Sequence, residues 1–267
     1  MYQEVQCDFP PGVDGPALLE RLQQVLDPEL DESILHLGFI RSLTARDGNA
    51  TVVLQLPTSW CAANFVYLMA EDIRQALLTA EGINRVTIRL GDHFAAEVIE
   101  AALNAGKPFN EAFPGEGCGS LTPLRATFLQ KGFTSRQARL LRDLRAAGFS
   151  THSICALRIG DLVAQDGVYL VRQASHEPIR VGPVETLHQY LSRRAKLGLP
   201  CDSLAPLITD PQGQPIAAGQ LEAYYHTART ARVSLEANSS FCRALLAARQ
   251  AQPLILGDAI NVMKSGG

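Results

Sequence analysis

Three short motifs hold the residues best suited to chemistry. Asp27-Pro28-Glu29 sets two carboxylates across a proline, Thr58-x-x-Cys61 puts a hydroxyl three positions before a thiol, and Asp92-His93 joins a carboxylate to an imidazole. Cys61 has the strongest case. The apolar spacing after it (Phe65, Leu68, Met69, Ile73, Leu77) predicts a helix over 61–79. A thiol in a helix's first turn meets the positive end of the macrodipole and unpaired backbone N–H groups. Both favour thiolate, the form that attacks electrophiles and binds soft metals. The competing reading is a small buried hydrophobe, the usual state of a free cysteine. Asp27 is expected at a helix C-terminus, where a negative charge is mildly unfavourable; an ordinary turn-forming Asp before Pro explains it equally. Asp92 and His93 suit ligation or proton transfer, or Asp92 caps the next helix. His36 reads as structural.

The elements that must position these motifs follow from periodicity. Pro10-Pro11-Gly12 and Gly15-Pro16 mark residues 1–16 as an arm. Leu18, Leu19, Leu22, Val25 and Leu26 predict an amphipathic helix from Ala17, stopped by Pro28. A strand through Leu37, Phe39 and Leu43 comes next, then the hairpin turn Asp47-Gly48 and a strand over 50–56. The helix from Cys61 leads to a third strand over 83–90 and a short helix over 94–105. The hairpin makes the first two strands antiparallel, and a crossover helix makes the second and third parallel. One sheet edge then collects Asp27 to Glu29, Thr58 to Cys61, and Asp92-His93, where α/β sheets usually bind ligands.

Of the 267 residues, 46% are hydrophobic and 19% charged, which suits a globular chain and excludes a disordered one. No run approaches a membrane span of about 18 apolar residues. The start, Met-Tyr-Gln-Glu-Val-Gln-Cys-Asp, lacks the features of a signal peptide, so a cytoplasmic protein is expected. Six cysteines without C-x-x-C spacing are expected as thiols. The net charge of −3 hides a split: residues 1–117 carry 17 acidic and 7 basic side chains, residues 118–267 carry 10 and 17. Such asymmetry predicts two domains. The Pro/Gly-rich stretch around Phe113-Pro114-Gly115 marks the boundary. The expected organisation is an arm at 1–16, a domain at 17–114, a linker at 115–123, a helical domain at 124–255 and a tail at 256–267.

In the second half, helices are predicted over 124–130, 134–147, 151–157, 185–196, 220–232 and 240–250, with a hairpin of strands 168–172 and 179–181. Cys118 is either a second thiol for Cys61 or a passive linker residue. Arg136, Arg139 and Arg142 lie among six basic residues between Arg125 and Arg145. They can hold a phosphate backbone or an acidic client, or simply form a solvated helix face.

Asp27-Pro28-Glu29, Ser33-Ile34-Leu35-His36-Leu37-Gly38-Phe39-Ile40, Thr58-x-x-Cys61 and Glu81-Gly82-Ile83-x-x-Val86 stand in one order and spacing. Together they resemble the SufT/PaaD-type metal–sulfur cluster assembly factor domain over about residues 16–91. The chain departs at Cys61-Ala62, where the family has Cys-Pro, and at His36, where it often has an acidic residue. The resemblance implies a small α/β domain that helps mature iron–sulfur proteins or iron-dependent oxygenase systems. It makes Cys61 the functional thiol, with Asp27 and Glu29 from the Asp-Pro-Glu motif in support. Thr58, Asp92 and His93 join them as supporting residues.

The run Ala147-Gly148-Phe149-Ser150-Thr151-His152-Ser153-Ile154-Cys155-Ala156-Leu157-Arg158-Ile159-Gly160-Asp161-Leu162, a hairpin, then Arg180-Val181-Gly182-Pro183 resembles a tyrosine recombinase (phage integrase) domain over residues 130–230. Ser150 stands in place of its first arginine and Ser153 in place of its glutamate. The hairpin lacks the lysine, and no His-x-x-Arg follows. Without those cations Tyr224 or Tyr225 has no means of becoming a nucleophile, so a recombinase is excluded. The expectation is an α+β chain, a non-catalytic factor that carries a transient iron or iron–sulfur cluster to a client iron or iron–sulfur protein. One thiol falls short of the four cysteinates that clusters normally take, so the site is transient or shared in a homodimer. A DNA-binding regulator built on the inactive recombinase-like domain is the alternative.

Overall fold

The computed structural model describes residues 5–115, 120–173 and 176–251. It is an α+β chain whose contacts form two units. The first comprises the chain up to Pro28, Glu32–Leu121 and the chain from Asn238 on; the second comprises Glu29–Asp31 and Thr122–Ala237.

In the first unit β1 (Gln6–Asp8) lies within the expected arm, yet it pairs in parallel with β4 (Ile40–Arg46). Helix α1 (Gly15–Gln23) opens at Asp14, whose carboxylate accepts from Ala17 N at 3.0 Å, with Pro16 in the first turn. The helix ends at Gln23, well short of Pro28. Ile34 N donates to Val25 O, and Leu26–Asp27 become β2, antiparallel to β3 (Glu32–Ser33). Asp27 is therefore a buried strand residue, and the helix-dipole argument for it fails.

The hairpin of β4 and β5 (Asn49–Leu54) turns at Asp47 and Gly48, both with positive φ, as a two-residue turn matched to strand twist requires. Helix α2 (Ala63–Leu78) then leads to β6 (Arg85–Leu90), parallel to β5 from Asn49↔Arg85 to Leu54↔Leu90. The sheet order is β1-β4-β5-β6, so the ends of β5 and β6 and the start of β4 share one edge. Ala50, Val52, Leu54, Val86, Ile88 and Leu90 alternate inward and are buried. Helix α2 buries Val66, Tyr67, Met69, Ala70, Ile73 and Leu77, the apolar stripe its sequence spacing implies. Helix α3 (Ala96–Asn104) shields the exposed edge of β6: the Asn104 amide bonds both Ile88 N and Ile88 O, and Glu100 accepts from Leu90 N. Helix α4 (Phe109–Ala112) follows.

The second unit opens with α5 (Thr122–Ala146), one helix where two were expected. Gly132 does not break it. A Cβ there would lie 2.6 Å from Asp31 Oδ1, so the glycine admits the aspartate. Helix α6 (Thr151–Ala156) is capped by Ser150, which accepts from Ser153 N. Strands β7 (Leu162–Gln165), β8 (Val168–Gln173) and β9 (His176–Pro183) form a three-stranded antiparallel sheet rather than a lone hairpin. Helices α7 (Val184–Lys196) and α8 (Leu221–Ala251) are the last described helices, α8 again continuous where two helices were expected. Phe133, Leu140, Leu141, Leu144, Tyr169 and Tyr190 form the centre of this core. Arg194 is wholly buried in it and donates to Tyr190 Oη, Pro200 O, Leu207 O and Thr209 Oγ1. Among the described residues no helix is long and apolar enough to cross a membrane.

Candidate functional site

The shared sheet edge carries the site. Past Leu54, the buried Leu56 and Pro57 lead into Thr58-Ser59-Trp60-Cys61. The Thr58 hydroxyl accepts from Trp60 N at 3.3 Å, a local side-chain turn that competes with helix. The chain stays extended at Ala62 (φ −60°, ψ 128°), and α2 starts only at Ala63. Cys61 therefore precedes the helix instead of lying in its first turn, and the macrodipole falls off quickly beyond that turn. What it gains instead is Thr58: Oγ1 lies 3.5 Å from Sγ and can donate to a thiolate there. The thiol is half-buried and free.

The loop after β6 closes on the same residues. Phe94 N donates to Ser59 O at 3.0 Å. His93 is buried, with Nε2 2.6 Å from Cys61 O and Nδ1 accepting from Ala95 N at 3.2 Å. A carbonyl only accepts, so Nε2 supplies the proton of that bond. Both nitrogens are thereby engaged, and His93 serves as a support for the Cys61 backbone rather than as an open ligand. Asp92 is exposed and ion-pairs with Arg249 in the last turn of α8; Arg249 also donates to Leu56 O at 2.8 Å.

The structure thus brings Thr58, Cys61 and His93 together and puts Asp92 beside them. Asp27 lies in the β2–β3 ladder and Glu29 belongs to the second unit. Among the described residues no group of three or more His, Cys, Asp and Glu side chains is arranged to hold a metal ion. Cys118 lies outside the described residues, and His36 is exposed.

The arginines differ from expectation as well. Arg136 is buried, with Nε 2.5 Å from Asp31 Oδ2 and Nη2 3.0 Å from Asp31 O; Arg193 pairs with the other carboxylate oxygen. Burial removes Arg136 from any client-facing surface. Arg139 pairs with Glu236 and Arg142 with its neighbour Asp143, so both charges are already answered within the unit. Tyr224 donates to Thr209 O, and burial pushes its phenol upward, away from a nucleophile's requirement.

Residues 16–90 match the family model described as "Iron-sulfur cluster assembly protein". The match runs from α1 through β6 and contains Asp27, Glu29, Thr58 and Cys61, but stops before Asp92 and His93. It supports a role in iron–sulfur cluster assembly. No curated protein and no solved structure matches the chain, and no finding supports the recombinase-like resemblance.

Sequence reasoning missed two features. Trp60 and Phe94 stack in the open, 75% and 58% exposed, with ring centroids 5.6 Å apart. Arg249, far along the chain, ties down both loops of the site. The first had a signal: the chain's only tryptophan lies inside the Thr58-x-x-Cys61 motif.

Proposed function

We propose that the chain is a non-catalytic maturation factor whose Cys61 lends one sulfur ligand to iron or an iron–sulfur unit in transit to a client protein. Iron is cargo here. A resident cluster normally takes four cysteinates, and one thiol beside a hydroxyl suits brief capture, with the other ligands coming from the client or a second copy. The observation that carries this reading is the Thr58–Cys61 contact within the residues that match the assembly family. The SufT/PaaD-type resemblance makes an iron-dependent oxygenase a fitting client, and a cytoplasmic setting suits a free thiol. Asp27 and Glu29 are assigned supporting roles through the Asp-Pro-Glu motif, His93 by holding the Cys61 carbonyl and Asp92 by its ion pair with Arg249. No specific observation favours the DNA-binding reading.

The test is complementation. Cells lacking the protein are given the wild-type chain or Cys61→Ala, and the activities of their iron–sulfur and iron-oxygenase enzymes are compared. The proposal expects Cys61→Ala to leave those activities at the level of the deletion. Full restoration by Cys61→Ala would overturn it.

A further inference from the structure

A stacked Trp–Phe pair in water leaves a large apolar area uncovered, and aromatic side chains are the groups most able to contribute when buried. Trp60 and Phe94 are such a pair, and they flank Cys61: Trp60 precedes it, and Phe94 follows His93, which holds its carbonyl. Val98, 45% exposed in the first turn of α3, adds to the apolar surface of the same loop and helix.

The charges that these two segments bring are of one sign. Neither 57–62 nor 91–106 contains a lysine or arginine, whereas the second holds Asp92, Glu97 and Glu100. Glu100 is engaged by Arg89 and by Leu90 N. Glu97, three positions past Phe94, is exposed, and Asp92 keeps 58% of its side chain open while paired with Arg249. That ion pair shows what the surface accepts: one guanidinium already donates to both the Asp92 carboxylate and Leu56 O. A planar guanidinium also stacks on aromatic faces and binds carboxylates through paired N–H groups. A second copy suits the surface poorly. A two-fold contact sets the same patch against itself. It would press one acidic rim onto another, between chains that each carry 17 acidic and 7 basic side chains in residues 1–117.

We infer that the Trp60–Phe94 face is the docking site for a segment of a partner protein that presents arginine next to aliphatic side chains. The aliphatic groups cover the rings and Val98, and the guanidinium stacks on an open ring face while Glu97 and Asp92 supply the opposite charge. That this partner is the client rests on the reading of Cys61 proposed above; the recognition itself does not. Docking there brings the partner's chain beside the thiol, and an acidic segment is refused on charge.

Trp60 is the only tryptophan, so its fluorescence reports this face alone. The full-length protein is titrated with a short synthetic peptide of leucine and arginine, and with counterparts in which citrulline or glutamate replaces the arginine. Iron is absent, so no outcome depends on Cys61 as a ligand. The expected result is a blue shift and a several-fold fall in acrylamide quenching with the arginine peptide, and neither change with the other two at the same concentration. Glu97→Arg is expected to weaken the arginine peptide several-fold and Phe94→Ser to abolish the response, with circular dichroism checking that both variants stay folded. An equal response to the three peptides, or none to any of them, would overturn the inference on the wild type alone. Trp60 emission shielded before any peptide is added would overturn it too, and shielding that fades on dilution would give the face to a second copy.

Discussion

The imidazole of His93 donates from Nε2 to the carbonyl oxygen of Cys61 across 2.6 Å, while its Nδ1 accepts from Ala95 N. A buried side chain thereby fixes the backbone of the Cys61 loop and the start of the loop that follows β6. His93→Ala leaves a carbonyl and an amide without their partner, at a cost of about 1–3 kcal/mol. His93→Gln, whose amide offers both a donor and an acceptor, is expected to lose less. Urea denaturation of the two variants measures this; equal losses would mean that the ring acts by packing alone.

Thr58 lies 3.5 Å from the Cys61 sulfur. Thr58→Val keeps the shape and removes the hydroxyl, whereas Thr58→Ser keeps the hydroxyl. Alkylation of Cys61 by iodoacetamide at neutral pH is expected to slow several-fold in Thr58→Val and to be nearly unchanged in Thr58→Ser. Peptide mapping separates Cys61 from the exposed Cys7 and Cys201. Equal rates in all three proteins would remove Thr58 from the site.

Asp31 is the anchor of the second unit. Its carboxylate sits in a left-handed backbone position against Gly132 and pairs with Arg136 and Arg193, all three side chains less than a tenth exposed. Removing one partner of a buried pair leaves uncompensated charge, so Asp31→Asn is expected to destabilise the protein by about 3–5 kcal/mol. Gly132→Ala should also be destabilising, since its Cβ would meet the carboxylate. A melting temperature unmoved by Asp31→Asn would contradict the assignment.

Tyr67 on α2 donates to Lys107 O, and burial pushes its phenol up to about 12. The folded state holds this proton more tightly than the unfolded chain, whose phenol titrates near 10. The stabilising contribution is therefore complete below about pH 10 and is lost as pH rises toward about 12. Comparing urea midpoints of wild type and Tyr67→Phe across that window checks it: the gap between them should close or reverse only on the alkaline side.

The sheet edge was legible because its signals are local. Asp47-Gly48 dictates the hairpin, period-2 burial marks β5 and β6, and the α2 stripe sets the crossover. The start of α2 was misplaced by two residues, since the Thr58 hydroxyl turn that delays it leaves no periodic trace. The β2–β3 ladder escaped because two-residue strands have no period. Asp31 escaped for a different reason: its arginines lie 105 and 162 residues away, and long-range pairing of single charges cannot be read from spacing. Trp60 and Phe94 met the same obstacle, 34 positions apart by number yet stacked.

The central claim is that Cys61 holds the cargo. Anaerobic titration of the full-length chain with ferrous iron and sulfide, followed by sulfur-to-iron charge-transfer absorption, tests it most directly. The account predicts absorption in the wild type and in Cys7→Ala and its loss in Cys61→Ala. Equal absorption in Cys61→Ala and wild type would contradict it.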